Sequence, residues 1–246
     1  MKQTLKILIN RWPEVLLVLL FTGGAVLLFS QSDDEQNTMN AKKFIVAMGT
    51  GMFFVLGYIF QFGFLRTVVL AENEQFQPTE LLFLGRKFLG RFIIFGLILA
   101  VVIVLFSQII LSILLSVFGN VNPDGLASEQ IQNLPVWMPL TAVLTSMAIL
   151  LKLWLFMPAV IIVMDCRLRD CREHIKSLQL FKAYEIWGWL GVMVILNFIG
   201  YYVGAKIEPD EEANIATTAA LIFVSGFVSF AMQLAAVRYV KGKIKL

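Results

Sequence analysis

What this 246-residue chain has least of is charge: only 15% of its residues are Asp, Glu, Lys or Arg, while 59% are apolar. An average soluble protein carries roughly 25% charged residues. A water-soluble domain of this size has too little interior to hide so much apolar surface, so the remainder must face lipid. Cysteine is scarce as well, and the two present, Cys166 and Cys171, are too few for a disulfide scaffold. Also missing are a nucleophile–base pair, paired carboxylates within an apolar run, a glycine-rich phosphate loop and an HExxH-type metal motif. An enzyme needs groups that move protons or bind charge, and the apolar runs offer one lysine and a few amides. The expectation is a protein that is not an enzyme and holds no cofactor. Its basic residues flank apolar runs and do not gather into a polar domain, which argues against nucleic-acid partners.

What is present is a series of apolar runs long enough to cross a ~30 Å hydrocarbon layer. Six spans are expected, at about 13–30, 44–65, 92–118, 137–164, 186–205 and 213–237, forming one all-α integral membrane domain over residues 1–246. The first run ends Leu28-Phe29-Ser30, without the small-x-small site of a cleaved signal, and reads as a retained span. Before it, residues 2–12 place Leu5, Leu8, Ile9 and Trp12 on one helical face against Lys2, Lys6 and Asn10, the pattern of an interfacial helix. Pro78-Thr79 opens another amphipathic helix, in which Leu81, Leu84 and Phe88 oppose Arg86, Lys87 and Arg91. The third span exceeds what the bilayer requires, so it tilts or projects. Gly49, Gly51, Gly57 and Gly63 along the second span permit close helix approach in lipid. So do the spacings Gly200-x3-Gly204 and Ser225-x3-Ser229.

Orientation follows from the basic residues. Sixteen fall in the termini and in the second-to-third and fourth-to-fifth connections, against Lys42, Lys43 and Lys206 on the opposite side. Both termini are therefore expected in the cytoplasm, with an acidic outer face. A surface helix precedes a two-span hairpin three times, at 2–12, 81–91 and 169–184, which reads as an architectural repeat.

Two stretches carry a resemblance: GYIFQFGFLRTVVLAENEQFQPTELLFLGRKFLGR at 57–91 and MPAVIIVMDCRLRDCREHIKSLQLFKAYEIWGWL at 157–190. Each pairs an apolar exit and a proline with a basic amphipathic helix; the second adds Ser177 and an aromatic re-entry. The layout resembles a loose set of six-span prokaryotic membrane families without assigned activity. The membrane domain attached to some bacterial glycerophosphodiester phosphodiesterases has the same look. The resemblance implies a fold and a cytoplasmic-membrane location and supplies no catalytic residues; this chain has no phosphodiesterase domain. It departs from the pattern in its paired cysteines and its lysine within a span.

Lys152 lies near mid-span, where an ammonium costs roughly 2.5–3.5 kcal/mol unless it faces protein or water. One reading makes it a solute or anion contact in a bundle cavity, with Gln61, Gln108, Asn197 and Gln233 as neutral partners. The other ends the span early, near Pro158, and lets the stem carry the charge to the interface. Cys166, Cys171 and His174 give C-x4-C-x2-H, short of the four ligands a structural zinc needs. They read as reduced thiols beside a solvated imidazole. Arg86, Lys87, Arg91, Arg167, Arg169, Arg172, Lys176 and Lys182 suit anionic lipids or a protein partner, and they also satisfy the orientation rule alone. The leading expectation is a non-enzymatic scaffold or envelope-associated accessory component acting through these basic helices; the alternative is a small-solute or anion transporter centred on Lys152.

Overall fold

The computed structural model describes residues 1–30, 41–72, 74–118, 137–204 and 211–244, which are helical throughout with short connections and include no strand. In chain order the helices are α1 (Lys2–Asn10), α2 (Trp12–Ser30), α3 (Ala41–Leu70), α4 (Pro78–Phe118), α5 (Trp137–Met164), α6 (Cys171–Ser177), α7 (Tyr184–Gly204) and α8 (Glu211–Lys243), with a 3-10 turn at Leu180–Lys182 before α7. Among the described residues four helical stretches are long and apolar enough to cross a membrane: Val46–Leu70, Pro78–Gln108, Met147–Met164 and Ala220–Lys243. Two further apolar stretches, Trp12–Ala25 and Tyr184–Gly200, are shorter. The acidic segments at 31–40, 119–136 and 205–210 lie outside the described residues. Lys42 and Lys43, read as loop residues, are already helical at the start of α3.

The core runs through α2, α3, α5 and α8, with α2 packed along α3, α7 along α8, and α5 against α8. Phe64, Leu65, Phe156, Ile161, Met232 and Leu234 are fully enclosed there. Among the described residues α1, the end of α8 and the 71–72, 74–77 and 165–183 segments gather at one end of the bundle, here the basic end: α1 packs on α8, and the two connecting segments bond to their neighbours there.

Three expectations change. The amphipathic segment at 81–91 is no separate surface helix but the opening of α4, a continuous helix of 41 residues. At 1.5 Å per residue it is about 60 Å long, twice a ~30 Å hydrocarbon layer, so a membrane-crossing α4 tilts or projects. Nothing in Leu81–Arg91 breaks a helix, since Gly85 and Gly90 lack the clash that proline would bring. The 169–184 helix is broken into α6 and the 3-10 turn, with extended backbone at Leu178 and Gln179. The repeat therefore survives only in the order of its parts. α1, finally, buries Thr4, Ile7 and Leu8 and leaves Leu5 and Ile9 outward, and Trp12 at the start of α2 is outward too. Its inward stripe is rotated by one residue from the apolar stripe because Arg11, in line with Thr4, Ile7 and Leu8, is held inside.

α3 and α4 cross at van der Waals limits. A methyl built on Gly63 would overlap the Leu81 carbonyl, and one on Gly85 would overlap the Ile59 carbonyl. Both positions must lack a side chain for the backbones to meet. Just beyond, Phe62 and Phe92 stack with centroids 3.7 Å apart. Gly63→Ala or Gly85→Ala is expected to push the helices apart at ~3 kcal/mol, the upper part of the overpacking range. Gly90→Ala, with nothing within 4 Å of the added methyl, leaves stability unchanged or slightly raised. Thermal unfolding of the three variants in one detergent checks this.

Candidate functional site

Carboxylates and arginines at the basic end assemble into three clusters. In the first, Arg11 is fully buried at the α1–α2 corner. Its Nε donates to Glu14 Oε1 at 3.0 Å, its Nη2 pairs with Glu14 Oε2, and Nη2 also donates to Thr67 Oγ1 at 2.7 Å. The guanidinium lies 4.4 Å from the Phe64 ring centre and 5.4 Å from that of Phe76. Glu14 Oε1 further accepts from the Phe76 backbone N–H at 3.1 Å. Sequence reasoning counted Arg11 as a surface cation and left Glu14 inside the first span without a role. Their i,i+3 spacing at a helix start was the available signal.

In the second cluster Arg238, near the end of α8, reaches three other segments. It bonds Glu72 Oε1 at 3.2 Å, Glu185 Oε2 at 3.0 Å and Thr4 Oγ1 at 3.2 Å, and it also contacts Gln3. Glu185 accepts in addition from the Thr4 backbone N–H at 3.3 Å.

The third cluster closes α5. Arg66 Nη1 donates to the carbonyls of Ile162 and Val163 at 2.6 and 3.1 Å, taking up acceptors that a helix end leaves open. Asp165 then adopts a left-handed backbone, φ 50°, a conformation that Asp and Asn tolerate better than most residues. The turn carries its carboxylate to Arg91 Nη1 at 2.9 Å and to Lys87. Burial alone would raise the Asp165 carboxyl, but the hydrogen bonds and charges of Lys87 and Arg91 outweigh it and hold the group below its ordinary value. Beside it, Cys166 and Cys171 place their sulfurs 2.7 Å apart as free thiols. Burial, then the neighbouring Cys166, pushes the Cys171 thiol up, which keeps it protonated and a poor nucleophile. Among the described residues no three His, Cys, Asp or Glu side chains converge as metal ligands would.

The intramembrane set divides. Gln61 and Gln233 meet, Nε2 to Oε1 at 2.7 Å, joining α3 to α8. Asn197 is exposed and donates to the Met193 carbonyl of its own helix at 2.8 Å. Gln108 lies on the exposed side of α4. Lys152 is half-buried and has no hydrogen-bond or ion-pair partner among the described residues. The amide pair lines a cavity of about 450 Å³ between α2, α3, α4, α5 and α8; Lys152 does not line it.

The basic set divides too. Lys87 and Arg91 bind Asp165, and Arg86 lies over the Phe83 ring at 4.8 Å. Arg167, Arg169, Lys176 and Lys182 are exposed. The side chain of Arg172 lies outside the described residues. Apolar helices of this length tied by ion pairs at one end define a helical membrane protein. Comparison of the chain with family models, curated proteins and solved structures finds no match in any of the three.

Two outcomes follow. Glu14→Leu leaves Arg11 buried and unpaired and is expected to cost about 3–5 kcal/mol, with Arg11→Met added to it restoring about half; chemical or thermal unfolding in detergent reads both. Because the folded Asp165 carboxyl lies below its unfolded value, its contribution is present above the ordinary carboxylate range and is lost as pH falls through the folded value. Asp165→Asn, which keeps the backbone conformation, should lower stability by about 1 kcal/mol at pH 7, and the gap should close on titrating below pH ~4.

Proposed function

We propose that the chain is a non-enzymatic component of a prokaryotic cytoplasmic membrane, with both termini inside, that works by seating its basic end in an acidic headgroup layer. One observation carries the reading: the cations there divide into an inward set and an outward set. Arg11, Arg66, Arg91 and Arg238 are taken up by carboxylates and carbonyls of the fold. Arg167, Arg169, Lys176 and Lys182 project outward, and Phe181, Tyr184 and Trp187 are exposed on the same segment. Rings of that kind are comfortable at headgroup depth, and each cation near an acidic leaflet adds about 1 kcal/mol of attraction. Asp170 and Glu173, also exposed, offset part of this. α1 extends the surface with Lys2 and Lys6 beside outward Leu5, Ile9 and Trp12. The sixteen-to-three distribution of basic residues supports the orientation, and the resemblance to six-span prokaryotic families supports the location. The cavity excludes Lys152, so a transport reading centred on that lysine draws nothing from it.

The test is lipid retention by the full chain in detergent, read by native mass spectrometry with equal amounts of phosphatidylglycerol and phosphatidylcholine. Wild type should retain phosphatidylglycerol preferentially, less so as salt rises. Neutralising Arg167, Arg169, Lys176 and Lys182 to Gln should weaken that preference by about 1 kcal/mol per cation at low salt. Equal retention of the two lipids by wild type removes the reading.

A further inference from the structure

The cavity beneath the α3–α4 crossing has the makings of a ligand site that the basic end does not use. Its volume, about 450 Å³, falls in the ~300–1,000 Å³ range of small-molecule pockets. Its wall is apolar and aromatic, with Phe62, Phe92 and Trp154 on three helices. On the outer side Phe54, Tyr58 and Ile93 are 42%, 39% and 52% exposed, so the cavity opens sideways between α3 and α4, where lipid would lie. Among the described residues no acid, lysine, arginine or histidine lines it. An occupant is therefore uncharged.

The polar groups in the wall are few and incompletely used. Gln61, 6% exposed, gives one amide hydrogen to Gln233, which leaves its other amide hydrogen, its carbonyl oxygen and the amide nitrogen of Gln233 without a partner among the described residues. Reversing both amides leaves the same inventory, one unused carbonyl oxygen and three unused N–H bonds. Ser229 and Tyr58 likewise contribute hydroxyls that have no hydrogen-bond partner among the described residues. Across the cavity Pro158, inside α5, has no N–H, so the Trp154 carbonyl lacks its i→i−4 donor, and both residues line the space. In an apolar medium an amide without a hydrogen-bond partner is costly, and a ligand that carries a carbonyl satisfies the free amide N–H.

We infer that this cavity binds an uncharged lipid through its apolar chain, with a carbonyl of its head accepting a hydrogen bond from the Gln61–Gln233 amide pair. Two sources share that chemistry, the ester of a neutral acylglycerol and the ring carbonyl of a quinone with an apolar tail. Native mass spectrometry of the full chain in detergent, titrated with dioctanoylglycerol, decylbenzoquinone and decane, separates them. The expected result is saturable one-to-one binding of at least one carbonyl probe, at least tenfold tighter than decane, with the tighter probe naming the source. Gln61→Met and Gln233→Met should each remove that advantage. Ser229→Leu, which narrows the cavity from α8 without touching the amide pair, should weaken both carbonyl probes and decane, with helicity checked by circular dichroism. Equal binding of all three probes by wild type, or no saturable binding, overturns the inference. Because the wild-type comparison stands alone, it holds even if a variant fails to fold. Phosphatidylglycerol retention at the basic end is unaffected by these substitutions, so this inference and the proposed function fail separately.

Discussion

A charge withdrawn from water must find a partner, and the basic end of this bundle is built from that requirement. Attraction between opposite charges grows as the local dielectric falls, and so does the penalty for a charge left alone. Helices in lipid have little hydrophobic drive to hold one another. Here arginines supply the cross-links. Arg238 alone joins α8 to the first turn of α1, the segment after α3 and the start of α7. Arg11 locks the α1–α2 corner onto α3 through Thr67, while Arg66 and Arg91 bring α3 and α4 to the end of α5. Segments more than a hundred residues apart in sequence are thereby fixed against each other at one level of the bundle.

That clamp and the glycine crossing together explain where the cavity lies. α3 and α4 touch backbone to backbone at Gly63 and Gly85, next to the arginine clusters. Beyond the crossing Phe62 and Phe92 stack, and both rings line the cavity together with residues further along the two helices. The same geometry leaves Leu97, Val101 and Leu105 of α4 facing outward. A helix with so much apolar surface unmatched by protein needs lipid as its solvent.

Much of this was legible from residue class alone. The helical class, four apolar helices long enough to cross a membrane, the end of an apolar helix just before Asp165, the inward line of Leu81, Leu84 and Phe88, and the use of a small residue at Gly63 all follow from periodicity and composition. What was not legible depends on tertiary neighbours. Arg11 reads as a surface cation until Glu14, Thr67 and Phe64 surround it. The rotation of α1 follows from that burial, since the apolar stripe by itself pointed one residue away. Gln61 and Gln233 are 172 residues apart and in sequence read as neutral partners for Lys152 alongside Gln108 and Asn197; no local pattern says that they pair with each other and, without Lys152, line a cavity. Continuity of α4 was hidden because an amphipathic opening followed by an apolar run looks the same whether or not the helix bends between them.

The orientation rule treats lysine and arginine alike, because it concerns the cost of carrying charge across a membrane. The fold does not treat them alike. The four cations that each satisfy two or more acceptors, Arg11, Arg66, Arg91 and Arg238, are all arginines, whose planar fork offers five donors in fixed directions. Lysine, a flexible point charge, predominates outward, at Lys2, Lys6, Lys176 and Lys182. Lys87 and Lys241 show the limit of the lysine role inward, each reaching one acceptor, Asp165 or the Val68 carbonyl. A count of basic residues thus mixes two populations, one that holds the helices together and one left free for whatever lies outside. Charge substitutions inform on function only in the second, where Arg167 and Arg169 join the lysines, because in the first any loss of binding is indistinguishable from loss of the fold.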